Sequence, residues 1–360
     1  MENEAKYLQL AALLREKIRS GELKPGEKLS SENELSVQYG LSRQTVRHAI
    51  GILAEEGLLM RRRGSGTYVG GSRLANLENR TRIAVISTYV DSYIFPKTIQ
   101  GIENYLFERG YSVQIAFTNN LLERERIVLE DLISRDDAAG IIMEATKSGL
   151  PNPNLPLIET LMQRGVPILF INSYYRELPL PHVTLNDRLA AQRAVEYLAA
   201  AGHRRIGALM KFDDGQGHLR FAGYLSACRK LGIPAGDHGT VWLDTQAEQD
   251  LADYRERILK TFRDCTAVFC YNDKLAFQLE GLFRKEGIRV PDDISLISID
   301  DSDLAELSDT RLTSVHHPAD RLGEKAAENL LSVMRDGRFD GTYEFEARIV
   351  ERDSVKRLAE

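Results

Sequence analysis

The apolar positions of this chain fall first into helical periods and then into alternating strand and helix periods. Tyr7, Leu10, Ala11, Leu14 and Ile18 lie at i, i+3, i+4, i+7 and i+11, the stripe of an amphipathic helix, until Gly21, Pro25 and Gly26 break the period. Ser31 stands three residues before Glu34 and just ahead of Leu35, a capping-box spacing that predicts a short second helix running to Tyr39. Gly40 allows a tight turn, Ser42 is a good N-cap, and a third helix runs from Arg43 towards Glu56 before Gly57 stops it. Val46, Ala49, Ile50 and Leu53 share one face of that helix, while Gln44, Arg47, His48 and Gly51 point away from it. Gly51 leaves room on the outward face for a close neighbour. "LLMRRRGSGTYV" then reads as a hairpin, two short strands about a Gly-Ser-Gly tip with three consecutive arginines at its rim. Three helices and a basic hairpin make residues 1–70 a winged helix-turn-helix.

"GGSRLANLENRT" (70–81) has no apolar period and is the expected joint, with the linker placed at 71–81. Beyond it, short apolar runs at 82–87, 111–117, 139–143, 166–171, 205–210, 266–271 and 294–300 predict strands. Helix-like stretches separate them, among them Lys97 to Arg109, Arg188 to Ala201, Gly217 to Leu231 and Lys274 to Lys285. This βαβ alternation implies an α/β module of two parallel sheets with a cleft between them.

Composition narrows the class. With 43% hydrophobic and 28% charged residues among 360, the chain is globular in character. No apolar run approaches the ~20 residues of a membrane helix, and "MENEAKYLQL" is too acidic for a signal peptide, so the expected compartment is the cytoplasm. Cys228, Cys265 and Cys270 make neither an even disulfide set nor a C-x-x-C spacing and are read as reduced core residues. The net charge of −6 hides an asymmetry: residues 1–70 carry 11 Lys+Arg against 9 Asp+Glu, which leaves 36 against 44 for the rest. A small basic module joined to a large acidic one points to a nucleic-acid reader with a separate second function. Guanidinium groups bond both acceptors of guanine, Gln bonds adenine, and hydroxyls such as Ser65 and Thr67 hold phosphates. A merely solvated helix face is the other reading of Gln44, Arg47 and His48. The capped short helix, glycine turn and Arg-rich wing together weigh against it.

In open parallel sheets, ligands bind beyond the carboxyl ends of the strands, and the residues there are polar. Asn272 and Asp273 follow one run, Asp300 and Asp301 another and Asn172 a third, while "KFDDGQGHLR" follows a fourth; Glu144, Lys147, Tyr93 and Phe95 add to them. Carboxylates, amides, a lysine and aromatic rings suit a polyhydroxylated ligand, whose hydroxyls both donate and accept. Helix capping is the alternative for Asn272, Asp273 and Asp300, and glycoside hydrolysis by a carboxylate pair is the enzymatic one. No particular pair stands out, and no phosphate loop, nucleophile elbow or H-E-x-x-H motif is present, so a non-enzyme without cofactor or metal is expected. His316 in "SVHHP" reads as hinge structure.

Residues 5–69 resemble the DNA-binding domain of the gluconate-repressor family through "IRSGELKPGEKLSSENELSVQYGLSRQTVRHAIGILAEEGLLMRRRGSGTYV". The resemblance implies that Glu32, Arg43, Arg47, Gly64 and Gly66 lie at DNA. Residues 82–353 resemble the effector domain of the lactose/galactose-repressor family, related in fold to periplasmic sugar-binding proteins, through "VPILFIN", "AAAGHRRIGAL", "FCYNDKLA" and "VPDDISLISIDDSDLA". That likeness implies a ligand site of Phe95, Asn172, Arg220, Asn272 and Asp300, with subdomains of 82–184 plus 316–341 and of 185–315 plus 342–360. The fusion, with "YIFPKTIQGIENYL", "EATKS" and "DDGQG", resembles the arabinose-responsive repressors of Gram-positive bacteria. It implies L-arabinose as effector, Lys6, Gln44 and Arg63 as further DNA contacts, with Thr45 and Thr67 beside them, and Tyr93, Lys147, Asp214, Gln216 and Asp273 as further sugar contacts. The expected assembly is a homodimer on a palindromic operator in double-stranded DNA. A DNA-binding protein fused to an enzyme and a wing that contacts protein are the competing readings.

Overall fold

A computed structural model describes residues 2–19, 22–24, 26–55, 58–62, 66–69, 80–90, 93–236 and 239–358. The chain divides into two units, one built on Met1–Thr81 and the other on the residues from Arg82 onward. Residues 71–79 of the expected linker and the wing tip at 63–65 lie outside the described residues.

In the first unit, α1 (Glu2–Arg19), α2 (Glu32–Tyr39) and α3 (Arg43–Glu55) precede a hairpin of β1 (Leu59–Arg62) and β2 (Gly66–Val69). The expected apolar stripes meet in one core of Leu10, Ala11, Leu14, Ile18, Leu35, Val46, Ala49, Ile50 and Leu53, closed by Leu59 and Val69 of the wing. The capping box forms as its spacing requires: Glu34 N donates to Ser31 Oγ at 3.2 Å, and Ser31 N donates to the Glu34 carboxylate at 2.8 Å. Gly40 ends α2 with φ +63°, a left-handed turn that glycine adopts without strain.

The second unit holds two six-stranded sheets of the same strand order. In the first lobe, β3 (Arg82–Ser87), β4 (Ser112–Phe117), β5 (Ala138–Met143), β6 (Ile168–Ile171), β7 (His182–Leu185) and β13 (Tyr343–Phe345) run in the order β4-β3-β5-β6-β7-β13. In the second, β8 (Ile206–Lys211), β9 (Thr240–Leu243), β10 (Ala267–Cys270), β11 (Ser295–Asp300), β12 (Thr313–His316) and β14 (Arg348–Val350) run in the order β9-β8-β10-β11-β12-β14. β3 with β4, β5 with β6, β6 with β7, β7 with β13, β8 with β9 and β10, and β11 with β10 and β12 pair in parallel, whereas β12 pairs with β14 antiparallel. Helices cover the sheets, among them α4 (Phe95–Phe107), α5 (Leu122–Arg135), α6 (Leu155–Gln163), α7 (Asp187–Ala200), α8 (Gly215–Leu231), α9 (Arg255–Phe262), α10 (Asp273–Lys285), α11 (Asp303–Leu307) and α12 (Ala319–Arg335).

The chain crosses between lobes after β7, after β12 and between β13 and β14. The expected division at 341/342 therefore moves to the last of these crossings, because Tyr343–Phe345 pairs with Val183–Leu185 of the first lobe. The seven predicted strands are present; β7, β9, β12, β13 and β14 were not expected, being three or four residues long and without a clear apolar run. His316 is structural: its Nδ1 lies 2.8 Å from Asp301 Oδ2, and Arg352 donates to the same carboxylate at 2.6 Å. Cys228, Cys265 and Cys270 stand free. Among the described residues no helix is long and apolar enough to cross a membrane.

Ser31→Ala removes the acceptor of the capping box, and we expect the first unit to lose about 1 kcal/mol of stability, seen as a lower midpoint in its thermal unfolding.

Candidate functional site

In the first unit, the outward face of α3 presents Arg43, Gln44 and Arg47, all exposed. Arg47 is held by Glu32 of α2, with Nε donating to both carboxylate oxygens (3.1 and 3.0 Å) and Nη2 to Oε2 at 2.7 Å. That hydrogen bond holds the Glu32 carboxyl below its ordinary value. Arg61 of the wing reaches Arg47 O at 3.5 Å. Helix α2, helix α3 and the wing thus present one continuous polar surface, with anions favoured at the arginines and a cytosine amino group suited to Glu32. Lys6 is exposed on α1, and Gly66 and Thr67 open β2. His48 is exposed and stacks on Tyr7 of α1 with ring centroids 4.1 Å apart. Thr45 is turned inward, 7% exposed, with its N–H donating to Ser42 Oγ at 3.2 Å; it serves the start of α3. Arg63 and Gly64 lie outside the described residues.

In the second unit, the carboxyl ends of both sheets enclose a cavity of about 260 Å³. It sits where each sheet reverses its strand order, between β3 and β5 and between β8 and β10, the place where such sheets bind ligands. Tyr93, Phe95, Asn172, Asp214, Gln216, Arg220, Asn272 and Asp300 line it, as expected. Two expected residues do not. Lys147 contributes its backbone N–H to Asn120 Oδ1 at 2.7 Å, and its side chain is not part of the wall. Asp273 is fully buried, with Oδ1 accepting from Ser298 and Ser314 (both 2.6 Å) and Oδ2 from the Ser302 N–H and hydroxyl (2.7 and 2.8 Å). The side chain does not line the cavity, and its bonds tie β11, β12 and the start of α11 together. Burial, with Asp300 beside it, pushes its pKa up to about 6.

Asn272 has both of the roles weighed for it. Its Oδ1 accepts from Leu275 N at 2.9 Å and caps α10, while Nδ2 donates to Glu248 at 3.1 Å in the cavity wall. Asp300 ends β11 at φ +115°, accepting from Tyr93 OH at 2.6 Å and from Arg220 Nη2 at 3.3 Å. Tyr93 (φ +72°) and Asn172 (φ +58°) share this left-handed backbone, which costs a non-glycine residue about 1–3 kcal/mol and collects at functional sites.

The wall also holds Glu144, read from the sequence as a strand-end residue, and residues not named there, among them Lys211, Glu248, Thr88, Tyr89 and Asn120. Lys211 ends β8, is 2% exposed and is paired with Asp214 at 2.8 Å and Glu248 at 3.0 Å. Burial alone would lower its pKa, but the two carboxylates outweigh it and the pKa rises; against the same burial, Lys211 holds Asp214 below its ordinary value. Glu144, whose acidity burial weakens, accepts from Thr88 N at 2.9 Å and Asn172 Nδ2 at 3.2 Å. Tyr89 meets Phe95 edge-on at 5.4 Å. Thr88, Tyr89, Asn120 and Lys211 could have been found by inspecting the end of every predicted strand. Glu248 had no such signal, because it follows the unpredicted β9.

A winged helix-turn-helix on one chain with a two-lobed sheet module enclosing a charged cavity defines a ligand-responsive transcription regulator. Residues 6–69 match the model of bacterial regulatory proteins of the gntR family, and residues 195–355 that of the periplasmic binding protein-like domain. The chain is 35% identical over 358 residues to the arabinose metabolism transcriptional repressor of Geobacillus stearothermophilus, covering 98% of each chain. It is 37% identical to the protein of that name from Halalkalibacterium halodurans, over 96% of this chain and 94% of that one. The transcription regulator CcpA of Lactococcus lactis shares the fold alone, with a TM-score of 0.68 at 23% identity over 77% of this chain and all of that one. The chain belongs to the family of sugar-responsive transcriptional repressors that join a gntR-type DNA-binding domain to a periplasmic binding protein-like domain.

Asp273→Ala strands four buried donor contacts, and we expect it to cost the second unit about 3 kcal/mol. Urea unfolding of the full chain measures the loss; a change below the experimental error would return Asp273 to the list of candidate ligand contacts.

Proposed function

We propose that this repressor silences sugar-utilisation genes as a homodimer on a palindromic operator and is released when L-arabinose enters the cleft. The observation that carries the reading is the cavity itself. About 260 Å³ is less than the ~300–1,000 Å³ of sites for drug-sized ligands, which favours a single monosaccharide. Its wall offers acceptors at Asp214, Glu248 and Asp300, donors at Lys211 and Arg220, and aromatic surface at Phe95 and Tyr89. That mixture suits a neutral polyol whose hydroxyls both donate and accept. The two repressors named for arabinose metabolism support the choice of pentose.

The protein acts without catalysis in this reading. Asp214 and Glu248 are tied to Lys211, Asp300 to Arg220 and Tyr93, and Glu144 to backbone and amide donors. Acid/base work at a glycosidic bond needs one carboxyl free to give up a proton and another free to take one. Arg43, Gln44 and Arg47 would read base edges, and the wing would hold phosphates. To release DNA, the sugar must bind the two states of the protein unequally; a tenfold fall in operator affinity corresponds to about 1.4 kcal/mol of coupling.

Calorimetry of the full chain against L-arabinose, D-galactose, D-xylose and ribose tests this. We expect selective one-to-one binding of L-arabinose, and no heat from any of the four would defeat the choice of ligand class. Asp300→Ala should lower sugar affinity by about ten- to a hundredfold, the worth of a hydrogen bond to a charged group, while operator binding persists. Arg47→Ala should abolish operator preference and leave the calorimetric titration unchanged; a variant that still selects its site would remove direct readout by that residue.

A further inference from the structure

We infer that Ser148 and Gly149 of the first lobe, with Asp213 and Gly215 of the second, form a latch that sets effector affinity by closing the lobes without touching the ligand. None of the four lines the cavity. Gly149 N donates to Asp213 O at 3.1 Å, and Gly215 N donates to Ser148 Oγ at 2.9 Å, so two bonds cross the mouth of the cleft side by side. Beside them Asn120 of the first lobe donates to Asp214 at 3.2 Å and to Thr245 at 2.6 Å in the second. At the opposite edge Tyr93 meets Asp300, and Lys97 pairs with Asp303 at 2.9 Å. Both groups of bonds therefore join the two lobes directly.

The Gly149 contact is the tightest part of this seam. A Cβ added there would collide with Phe212 O and lie 2.9 Å from His218 Nε2 and 3.0 Å from Asp213 C. Phe212 O is backbone and already accepts from His218 at 2.7 Å, so it cannot give way by a rotamer change. A side chain at position 149 therefore has to displace the backbone of the second lobe that faces it. A Cβ at Gly215 would meet Ser148 O and Oγ at 3.3 Å, so close approach is built into both faces.

A ligand that fits the closed cavity pays for closing it out of its own binding energy. Bonds that hold the closed state without the ligand raise the competent fraction, and the apparent affinity for every ligand rises with it. Latch residues therefore scale affinity uniformly, whereas wall residues alter the choice among sugars. The inference rests on the sugar reading for its ligand but not for its geometry.

The test uses the full chain with spin labels on unnatural amino acids at positions 130 and 257, one exposed site on each lobe. Without sugar, Gly149→Val should lengthen the distance between labels by a few ångströms, and Ser148→Ala, which adds no bulk, should broaden its distribution towards longer values. L-arabinose Kd should rise about tenfold in Gly149→Val, while the ratio of Kd values for L-arabinose and D-xylose stays within about twofold of the wild type. Unchanged distances in both variants overturn the latch, and so does a Kd change accompanied by a shifted sugar ratio, which would place the seam in the ligand site. If the wild type binds no L-arabinose, the sugar reading fails by itself and the distances alone decide the latch.

Discussion

Arg220 lies on α8 with 1% of its surface exposed, and its charge must be met on every side at once. Nε donates to Asp187 at 2.7 Å, Nη2 to Asp300 at 3.3 Å and Nη1 to Tyr271 O at 2.5 Å, with the Tyr271 ring beneath it at 4.6 Å. Burial disfavours the charge, yet the two carboxylates hold the guanidinium ionised. A buried ion cluster of this kind adds little net stability, but removing one partner costs about 3–5 kcal/mol because a charge is left stranded. The partners come from different places: Asp187 from the first crossing between lobes, Asp300 from the end of β11 and Tyr271 from the end of β10. Satisfying Arg220 therefore sets the crossing, the cavity floor and the tilt of α8 together. It also accounts for the strained backbone at Asp300, since the carboxylate must reach both Arg220 and Tyr93.

The first unit uses the opposite electrostatic regime. Arg47 and Glu32 form a two-pronged pair, but 64% of the Arg47 side chain is exposed, and such surface pairs are worth little and weaken with salt. That makes Arg47 oriented yet exchangeable: Glu32 aims the guanidinium at no great cost to a competing phosphate or base edge. The buried cluster in the second unit rules out alternative arrangements, while the exposed pair in the first keeps one ready. A regulator needs both, a rigid pocket that distinguishes ligands and a surface whose partners can be traded for DNA.

Much of this organisation was legible in the residues. Ser31, Glu34 and Gly40 act through contacts a few residues away, so their spacing alone determined where α2 begins and ends. The stripe from Leu10 to Ile18 and the face from Val46 to Leu53 could be buried in only one way, and of the seven apolar runs six became inner strands, β4 alone lying at a sheet edge. Eight of ten cleft residues followed from one rule about strand ends together with a family likeness.

What only the tertiary structure decided are the relations between residues far apart in the chain. Asp273 and Asn272 are neighbours in sequence, yet one ties together serines of β11, β12 and the start of α11 while the other lines the cavity, because successive residues at a helix start point in different directions. Lys211 reads as the end of an apolar strand; its role depends on Glu248, 37 residues further on, behind a strand too short to predict. Tyr343–Phe345 joins the first lobe because β7 offers it a free edge, which no local pattern records. The sequence by itself determined the two modules, their elements and the ends at which a ligand would sit, since those depend on local periodicity and capping. Which carboxylates face the cavity depends on long-range hydrogen bonds, and these exist only once both sheets are in place.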